Sequence, residues 1–329
     1  MDWITQFTDM IFPLNRDQLN IEGAYLLKNQ HLPKSIFKYC KVDKKSIKNL
    51  EEDTIWLADP STFNDPYDCA HTVDFSRIQQ QQSSELFEKF MQERGHDSNL
   101  TIDQKKTLAI SPDPVSELME IHLSGKPPEK REGIKSALIS LQDKKYADLS
   151  VTSSETFASS FKLCSFSERN DSMLMWAHYA SYHRGFCVEY DLENIPYSDY
   201  RRRFLYPVIY SDLMFDATQL FMKKKEDQSL NILHWHLAAL LKAKDWKYEM
   251  EWRLVFANGI VDSERSYSIG KPKMVYFGTK ISQPNQDRLI EICKRRNIPY
   301  VKMKAHHSMF KLVPCSLIDA ENLIFEEKA

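Results

Sequence analysis

Glycine is scarce: 8 residues in a chain of 329, about a third of the ~7% share usual in proteins. They stand too far apart to assemble G-x-G-x-x-G or G-x-x-x-x-G-K-[ST]. The two commonest phosphate-cradling loops are therefore missing, which makes a Rossmann dehydrogenase and a P-loop NTPase poor readings. The six cysteines (Cys40, Cys69, Cys164, Cys187, Cys293 and Cys315) include no C-x-x-C pair. In a chain of this length they read as free thiols, neither a disulfide frame nor a zinc knuckle. No uninterrupted apolar run of about 18 residues occurs, so no helix is expected to span a membrane. Charge of one sign is lacking too. Lys+Arg 44 against Asp+Glu 46 leaves a formal net charge of −2, and no global field recruits nucleic acid or anionic lipid. The opening MDWITQFTDMIFPLNRD has no basic n-region and no small-residue cleavage site, so it does not read as a signal peptide. A reducing cytoplasm is the expected compartment.

What is present fits a globular protein: 42% hydrophobic and 27% charged residues give ample core. Residues 1–35 read as a helical lead-in that closes near Pro33. Residues 36–329 read as one domain. Its strand candidates are 36–42, 54–59, 161–167, 185–191, 206–211, 251–257, 273–278 and 298–304, each short and β-branched or aromatic. Helices are expected at 171–182, near 228–246 and at 286–296. From about 76 to 160 apolar residues recur three and four apart, the helical period, so this stretch reads as a helical insertion. Irregular alternation without a βαβ rhythm makes the class mixed α+β.

Three clusters carry chemistry. In KDWKYEMEWRLVF (244–256), Glu249 and Glu251 are two apart. On a strand they point the same way, opposite Tyr248, Met250 and Trp252. Two such carboxylates persist beside a cation such as Arg253, or in a polar cleft; the plainer reading is an edge strand with a solvated acidic face. In KLCSFSERNDSMLMWAHYASYHRGFCVEYD (162–191), Ser165 and Ser167 share a strand face, and Trp176 and Tyr179 are i, i+3 neighbours on the following helix. No serine-hydrolase elbow is present. In ADPSTFNDPYD (58–68), Asn64 and Asp65 sit in a turn that Pro66 enforces.

Metal chemistry has little support. His234 with His236, His306 with His307, and His178 with His183 lack H-E-x-x-H or a carboxylate at ligand spacing, and no metal is expected. The basic runs 201–203, 223–225 and 294–296 read as solvated faces. Arg201-Arg202-Arg203, flanked by Tyr200, Phe204 and Tyr206, also carries the combination of cations and rings on which unpaired bases stack.

Taken together, Phe63-Asn64-Asp65-Pro66-Tyr67-Asp68, Cys164–Glu168, Met175–Tyr190 and Trp246–Arg253 resemble a bacterial family of unknown function found in phage-defence and toxin contexts. That family is related to the ADP-ribosyltransferases. The resemblance spans about residues 36–304 without the insertion, through four ordered motifs. It implies an ADP-ribosyltransferase-like split mixed β-sheet core. In the Arg-Ser-Glu type of transferase, an Arg or His on a first strand precedes a Ser-x-Ser and then a Glu-x-Glu. Ser165-Phe166-Ser167 resembles the second motif and Glu249-Met250-Glu251 the third. The first departs from the pattern: Lys38-Tyr39-Cys40 stands where Lys-Tyr-Arg is usual. A cysteine offers no bidentate fork to a phosphate, so Lys38, Tyr39 or an arginine from elsewhere takes that place.

The resemblance implies an NAD-dependent ADP-ribosyltransferase, a cytoplasmic toxin or defence effector, with NAD as substrate. Glu251 would stabilise an oxocarbenium-like cation and orient the ribose, and Glu249 would serve the acceptor. Ser165 would hydrogen-bond ribose or Glu251, Ser167 would support the strand, and Phe166, Trp176 or Tyr179 would stack on nicotinamide. Lys38, Tyr39 and Asn64 complete the expected NAD site. The acceptor is nucleic acid, especially RNA, or protein arginine, and a neutralising antitoxin protein is an expected partner. An NAD glycohydrolase, another nucleotide-processing toxin and a non-enzymatic binding module are the alternatives.

Overall fold

The computed structural model describes residues 2–94, 100–111, 113–223, 227–257 and 266–315. In chain order the longer helices are α1 (Trp3–Ile11), α2 (Ile21–His31), α3 (Lys44–Glu52), α4 (Phe75–Arg94), α5 (Ile102–Ile110), α6 (Pro114–Leu123), α7 (Pro128–Ser160), α8 (Met173–Tyr179) and α9 (Gln283–Arg296). The strands of the principal sheet are β1 (Ser35–Cys40), β2 (Phe161–Ser167), β3 (Phe186–Asp191), β4 (Leu205–Pro207), β5 (Glu251–Ala257), β6 (Met274–Phe277), β7 (Tyr300–Ala305) and β8 (Leu312–Cys315). Mixed α+β is the architecture, as the irregular alternation implies.

The chain divides into two compact units. One comprises Met1–Ala70, Phe157–Met214 and Asn231–Ala329; the other comprises His71–Thr156 and Phe215–Leu230. The second unit holds α4, α5, α6 and most of α7, together with a two-residue parallel pairing of His71–Thr72 with Phe215–Asp216. Phe75 stacks on Tyr146 with ring centres 5.0 Å apart, and the Tyr146 hydroxyl donates to Gln79 at 2.9 Å.

The first unit is built on an eight-stranded sheet of order β8-β7-β6-β3-β1-β2-β5-β4. β6 and β7 run parallel; the other neighbours are antiparallel. Pairing is long between β1 and β3, from Ser35↔Asp191 to Cys40↔Phe186, and between β5 and β2, from Glu251↔Ser167 to Ala257↔Phe161. Between β1 and β2 it consists of Phe37↔Ser167 alone. Beyond that point the ladder stops, and other groups occupy the freed carbonyls. The Lys38 ammonium donates to Ser165 O at 2.8 Å, and Ala58 exchanges both backbone bonds with Leu163. A central sheet is thus split along one seam.

Alternation along the strands makes two apolar layers. Cys164, Phe166, Trp252, Leu254, Phe256 and Tyr190 belong to one core. Tyr39, Met175, Trp176, Cys187, Tyr276 and Met303 belong to the other. Local signals set the helix ends. Asp43 caps α3 through Ser46 N–H at 2.8 Å, with Ile47 and Leu50 buried three apart. The N-terminal segment contributes to the core as well: Phe7 and Ile11 are buried, and Trp3 stacks on Trp252 at 6.0 Å.

Two expectations fail. The helix near 228–246 is replaced by a 3₁₀ turn (Ile232–Trp235), a short helix (His236–Leu240), a strand (Leu241–Ala243) and a second 3₁₀ segment (Lys244–Glu249). Leu241–Ala243 pairs in parallel with Ile209–Ser211, and that tertiary pairing overrides the helical pattern. The strand expected at 54–59 shrinks to Thr54–Trp56, paired with Ser266–Ser268.

Helix α8 gives way to a turn in which Ser181, Tyr182 and His183 all have positive φ, and the chain re-enters the sheet through Gly185. A Cβ there would lie 2.1 Å from the Cys40 carbonyl oxygen and 3.0 Å from Ala180 Cα. Gly185→Ala should therefore lower stability by on the order of 1–3 kcal/mol through overpacking, read as a lower urea midpoint. An unchanged midpoint would show that this approach does not constrain the fold.

Candidate active site

Along β5, Glu251 and Arg253 alternate with the core residues Trp252 and Leu254. Register places Glu251 beside Ser167 and Arg253 beside Ser165 on β2, so the four side chains share one face. Glu249 arrives differently from its sequence reading. It ends the 3₁₀ segment Lys244–Glu249 and is not on the strand; Met250, left-handed at φ 45°, turns the chain between the two carboxylates. They converge through that turn, which non-glycine residues adopt only under constraint.

The cation on which they converge is Lys242. Its ammonium lies 2.6 Å from Glu249 Oε2, 2.8 Å from Glu251 Oε2 and 3.7 Å from Asp68 Oδ2. Arg253 is 0% exposed. Its Nε donates to Glu251 Oε1 at 2.8 Å, its two terminal nitrogens grip Asp68 at 2.7 Å each, and Nη1 also donates to Ala239 O at 2.7 Å. The Tyr179 hydroxyl donates to Glu249 Oε1 at 2.6 Å. Ser167, fully buried, donates to the Glu249 carbonyl at 2.6 Å, and the Tyr210 hydroxyl accepts Glu251 N–H at 2.9 Å. Three carboxylates thus share two cations, and Lys38, which lines the same cavity and feels the Glu251 charge, adds a third.

The two glutamates titrate apart. Burial pushes both upward, but for Glu251 the Arg253 guanidinium and Lys242 ammonium outweigh it and hold the carboxyl far below the usual range. For Glu249 burial prevails over Lys242, with the Glu251 charge adding to it, and its pKa stands above the ordinary value. Lys242 itself is pushed down by burial and up by Glu251 and Glu249, ending above its ordinary value, so it stays protonated. A carboxylate kept ionised beside one readier to hold a proton is the arrangement that divides electrostatic and acid–base roles.

A cavity of ≈ 180 Å³ opens over this cluster, lined among others by Phe37, Tyr39, Asn64, Ser165, Tyr179 and Glu251. A second, of ≈ 290 Å³, extends along the seam between β1 and β2 past Cys40 and Cys164. Both are bordered by Lys38, Tyr39, Phe63, Ser165 and Tyr179, so they form one cleft.

Most residues singled out in the sequence reach this cleft: Glu249, Glu251, Ser165, Ser167, Lys38, Tyr39, Asn64, Phe166 and Tyr179. Trp176 does not. It is 0% exposed, with its indole N–H on Asn170 O at 2.7 Å and its ring edge-on to Tyr39, so it supports the site from below and has no free face for a ligand. Phe166 is 2% exposed and packs on Tyr190, so of the three rings expected to stack on nicotinamide Tyr179 is the one left, beside Phe37, Tyr39 and Phe63 in the lining. Asp65 serves its own turn, accepting Tyr67 N–H at 2.9 Å. Lys242 and Asp68 were missed; a lysine inside the apolar run 237–243 was the available signal. Among the described residues no arginine lines either cavity, and the Arg253 fork is turned inward to Glu251, Asp68 and Ala239 O.

The other charged motifs also resolve. Arg201 forms a double contact with Asp199 and donates to Ile269 O, Arg202 donates to Ile195 O, and Tyr206 is buried. Arg201, Arg202 and Tyr206 are thereby turned into the fold, while Arg203 is exposed over the Tyr25 ring, so the run does not present a continuous platform of rings and cations. Arg295 and Arg296 pair with Glu51 and Asp53. Of the run 223–225, residues 224 and 225 lie outside the described residues. His234 bonds Phe12 O, and His236 stacks on Phe12.

Residues 175–254 match the model of a family described as a protein of unknown function (DUF2971). That span holds Tyr179, Lys242, Glu249, Glu251 and Arg253. No curated protein and no solved structure matches the chain. Among the described residues no helix is long and apolar enough to cross a membrane.

Removing Lys242 leaves two buried carboxylates facing each other. Lys242→Met should cost about 3–5 kcal/mol, the usual penalty for breaking a buried pair from one side. The loss should shrink on mild acidification, because protonating Glu249 relieves the repulsion. Urea unfolding at neutral and mildly acidic pH measures both; an equal loss at the two would exclude charge as the cause.

Proposed function

We propose that this protein is an NAD-dependent ADP-ribosyltransferase, acting in the cytoplasm as a toxin or defence effector restrained by a partner protein. The observation that carries the reading is the split seam with a Ser-x-Ser strand on one side of it and a buried carboxylate cluster beside it. An ADP-ribosyltransferase-like core would have this layout. The order of the motifs along the chain supports the same reading.

In this proposal NAD lies along the cleft. Lys38, Lys41 and Lys45 line its larger lobe with Trp56 and Tyr190, a composition suited to a pyrophosphate and a base. Tyr179 offers a ring to nicotinamide at the smaller lobe. The C1–N glycosidic bond breaks and its electron pair leaves with nicotinamide. The ribose cation that remains meets Glu251, the carboxylate that stays ionised there. The Ser165 hydroxyl and Glu251 orient the ribose. The acceptor adds to C1, and its proton passes to Glu249, the carboxylate whose pKa stands above the ordinary value. Where a divalent ion would otherwise gather Asp68, Glu249 and Glu251, Lys242 and Arg253 supply the counter-charge.

Two outcomes are expected. Glu251→Gln should cut nicotinamide release from labelled NAD by on the order of 10²–10³, the typical effect of losing charge stabilisation in the transition state, with folding checked by urea unfolding. Unchanged release would remove the assignment. Transfer should also fall as the solution is acidified through the raised Glu249 pKa, because the base is then already protonated; the acid limb of the pH profile should lie above the ordinary carboxylate range and disappear in Glu249→Gln. An identical limb in that variant would assign the base elsewhere.

A further inference from the structure

We infer that the acceptor at this site is an uncharged nucleobase of a single-stranded nucleic acid and not a protein guanidinium; this rests on the transferase reading above. The first observation is electrostatic. Glu249, the carboxylate that receives the acceptor, has both oxygens engaged by the protein: Oε1 accepts the Tyr179 hydroxyl and Oε2 accepts the Lys242 ammonium, each at 2.6 Å. Lys242 is also 2.8 Å from Glu251. The position that would clamp an incoming guanidinium is therefore filled by a resident cation. A second cation brought to it meets like charge in a buried setting, whereas a neutral amine does not.

The second observation is the rim. The segment that delivers Glu249 also presents Trp246 and Tyr248, whose ring centres are 6.1 Å apart. His178 completes the group, with its ring 6.4 Å from Trp246, 6.1 Å from Tyr248 and 6.2 Å from Tyr179. The Tyr248 hydroxyl and His178 Nδ1 are 3.2 Å apart. Lys242 lies 5.1 Å from the Trp246 ring centre, so this aromatic group is continuous with the carboxylates. His178 is exposed, and Trp246 and Tyr248 are half-buried. Lys247, exposed between those two rings in the chain, adds a cation to the group. Rings beside a cation, next to a pocket that disfavours a charged acceptor, are the chemistry that holds an unpaired base.

The test uses the full chain with labelled NAD and two acceptors, a mixed-sequence single-stranded oligonucleotide and a poly-arginine peptide. Label is expected on the oligonucleotide. Trp246→Ala should reduce that labelling about 5- to 150-fold, the equivalent of one lost base stack, and Trp246→Phe should restore most of it. Lys247→Ala, at an exposed position that does not threaten folding, should lower the dependence of labelling on salt by about one unit of slope. Label on the peptide alone, or oligonucleotide labelling indifferent to both Trp246→Ala and Lys247→Ala, overturns the inference while the transferase reading stands. Absence of nicotinamide release from NAD with either acceptor overturns both.

Discussion

A guanidinium with no access to water sets the terms for this molecule. Arg253 is fully buried and is bonded to Glu251, Asp68 and the Ala239 carbonyl. Removing such a cation from water costs several kcal/mol, offset only when its partners are placed well and all present. Strand β5, the loop that carries Asp68 and the short helix that carries Ala239 must therefore assemble together. Lys242 repeats the demand a few ångströms away, with Glu249 and Glu251 as its partners. The site is held in one geometry by charges that cannot be left unpaired.

That network also separates two residues of identical chemistry. Glu251 faces both cations and remains ionised, while Glu249 faces one cation, a phenol and the charge of its neighbour, and is pushed the other way. Tyr179 is pushed up in turn, chiefly by burial and then by Glu249, and remains a donor. The difference arises from position alone, since the two side chains lie two residues apart.

Backbone irregularity makes room for this arrangement. A sheet paired continuously from β1 to β2 would have no cleft; here one residue pair holds the seam, and Lys38 and Ala58 satisfy carbonyls the ladder abandons. Left-handed residues stand at both approaches to the site, Met250 before Glu251 and Ser181–His183 after α8. Such conformations persist only where the surroundings over-determine them. The buried ion network and the close approach at Gly185 provide that surrounding.

The period-2 rule made Ser165 with Ser167, and Glu251 with Arg253, legible from the sequence, because alternation is a local property of extended chain. The same holds for the α+β class and for the helices of 76–160. Lys242 and Asp68 were not legible as partners. They stand 174 residues apart in the chain, and only the fold brings them within 3.7 Å. Helical spacing showed that Trp176 and Tyr179 are neighbours, but burial against Tyr39 decided that one supports the cleft and the other faces it. The stretch 228–246 carried a helical pattern and lost it to parallel pairing with Ile209–Ser211. Sequence determines what a segment favours by itself; which cation neutralises which carboxylate, and which ladder is left open, are settled by contacts between distant segments that no local period encodes.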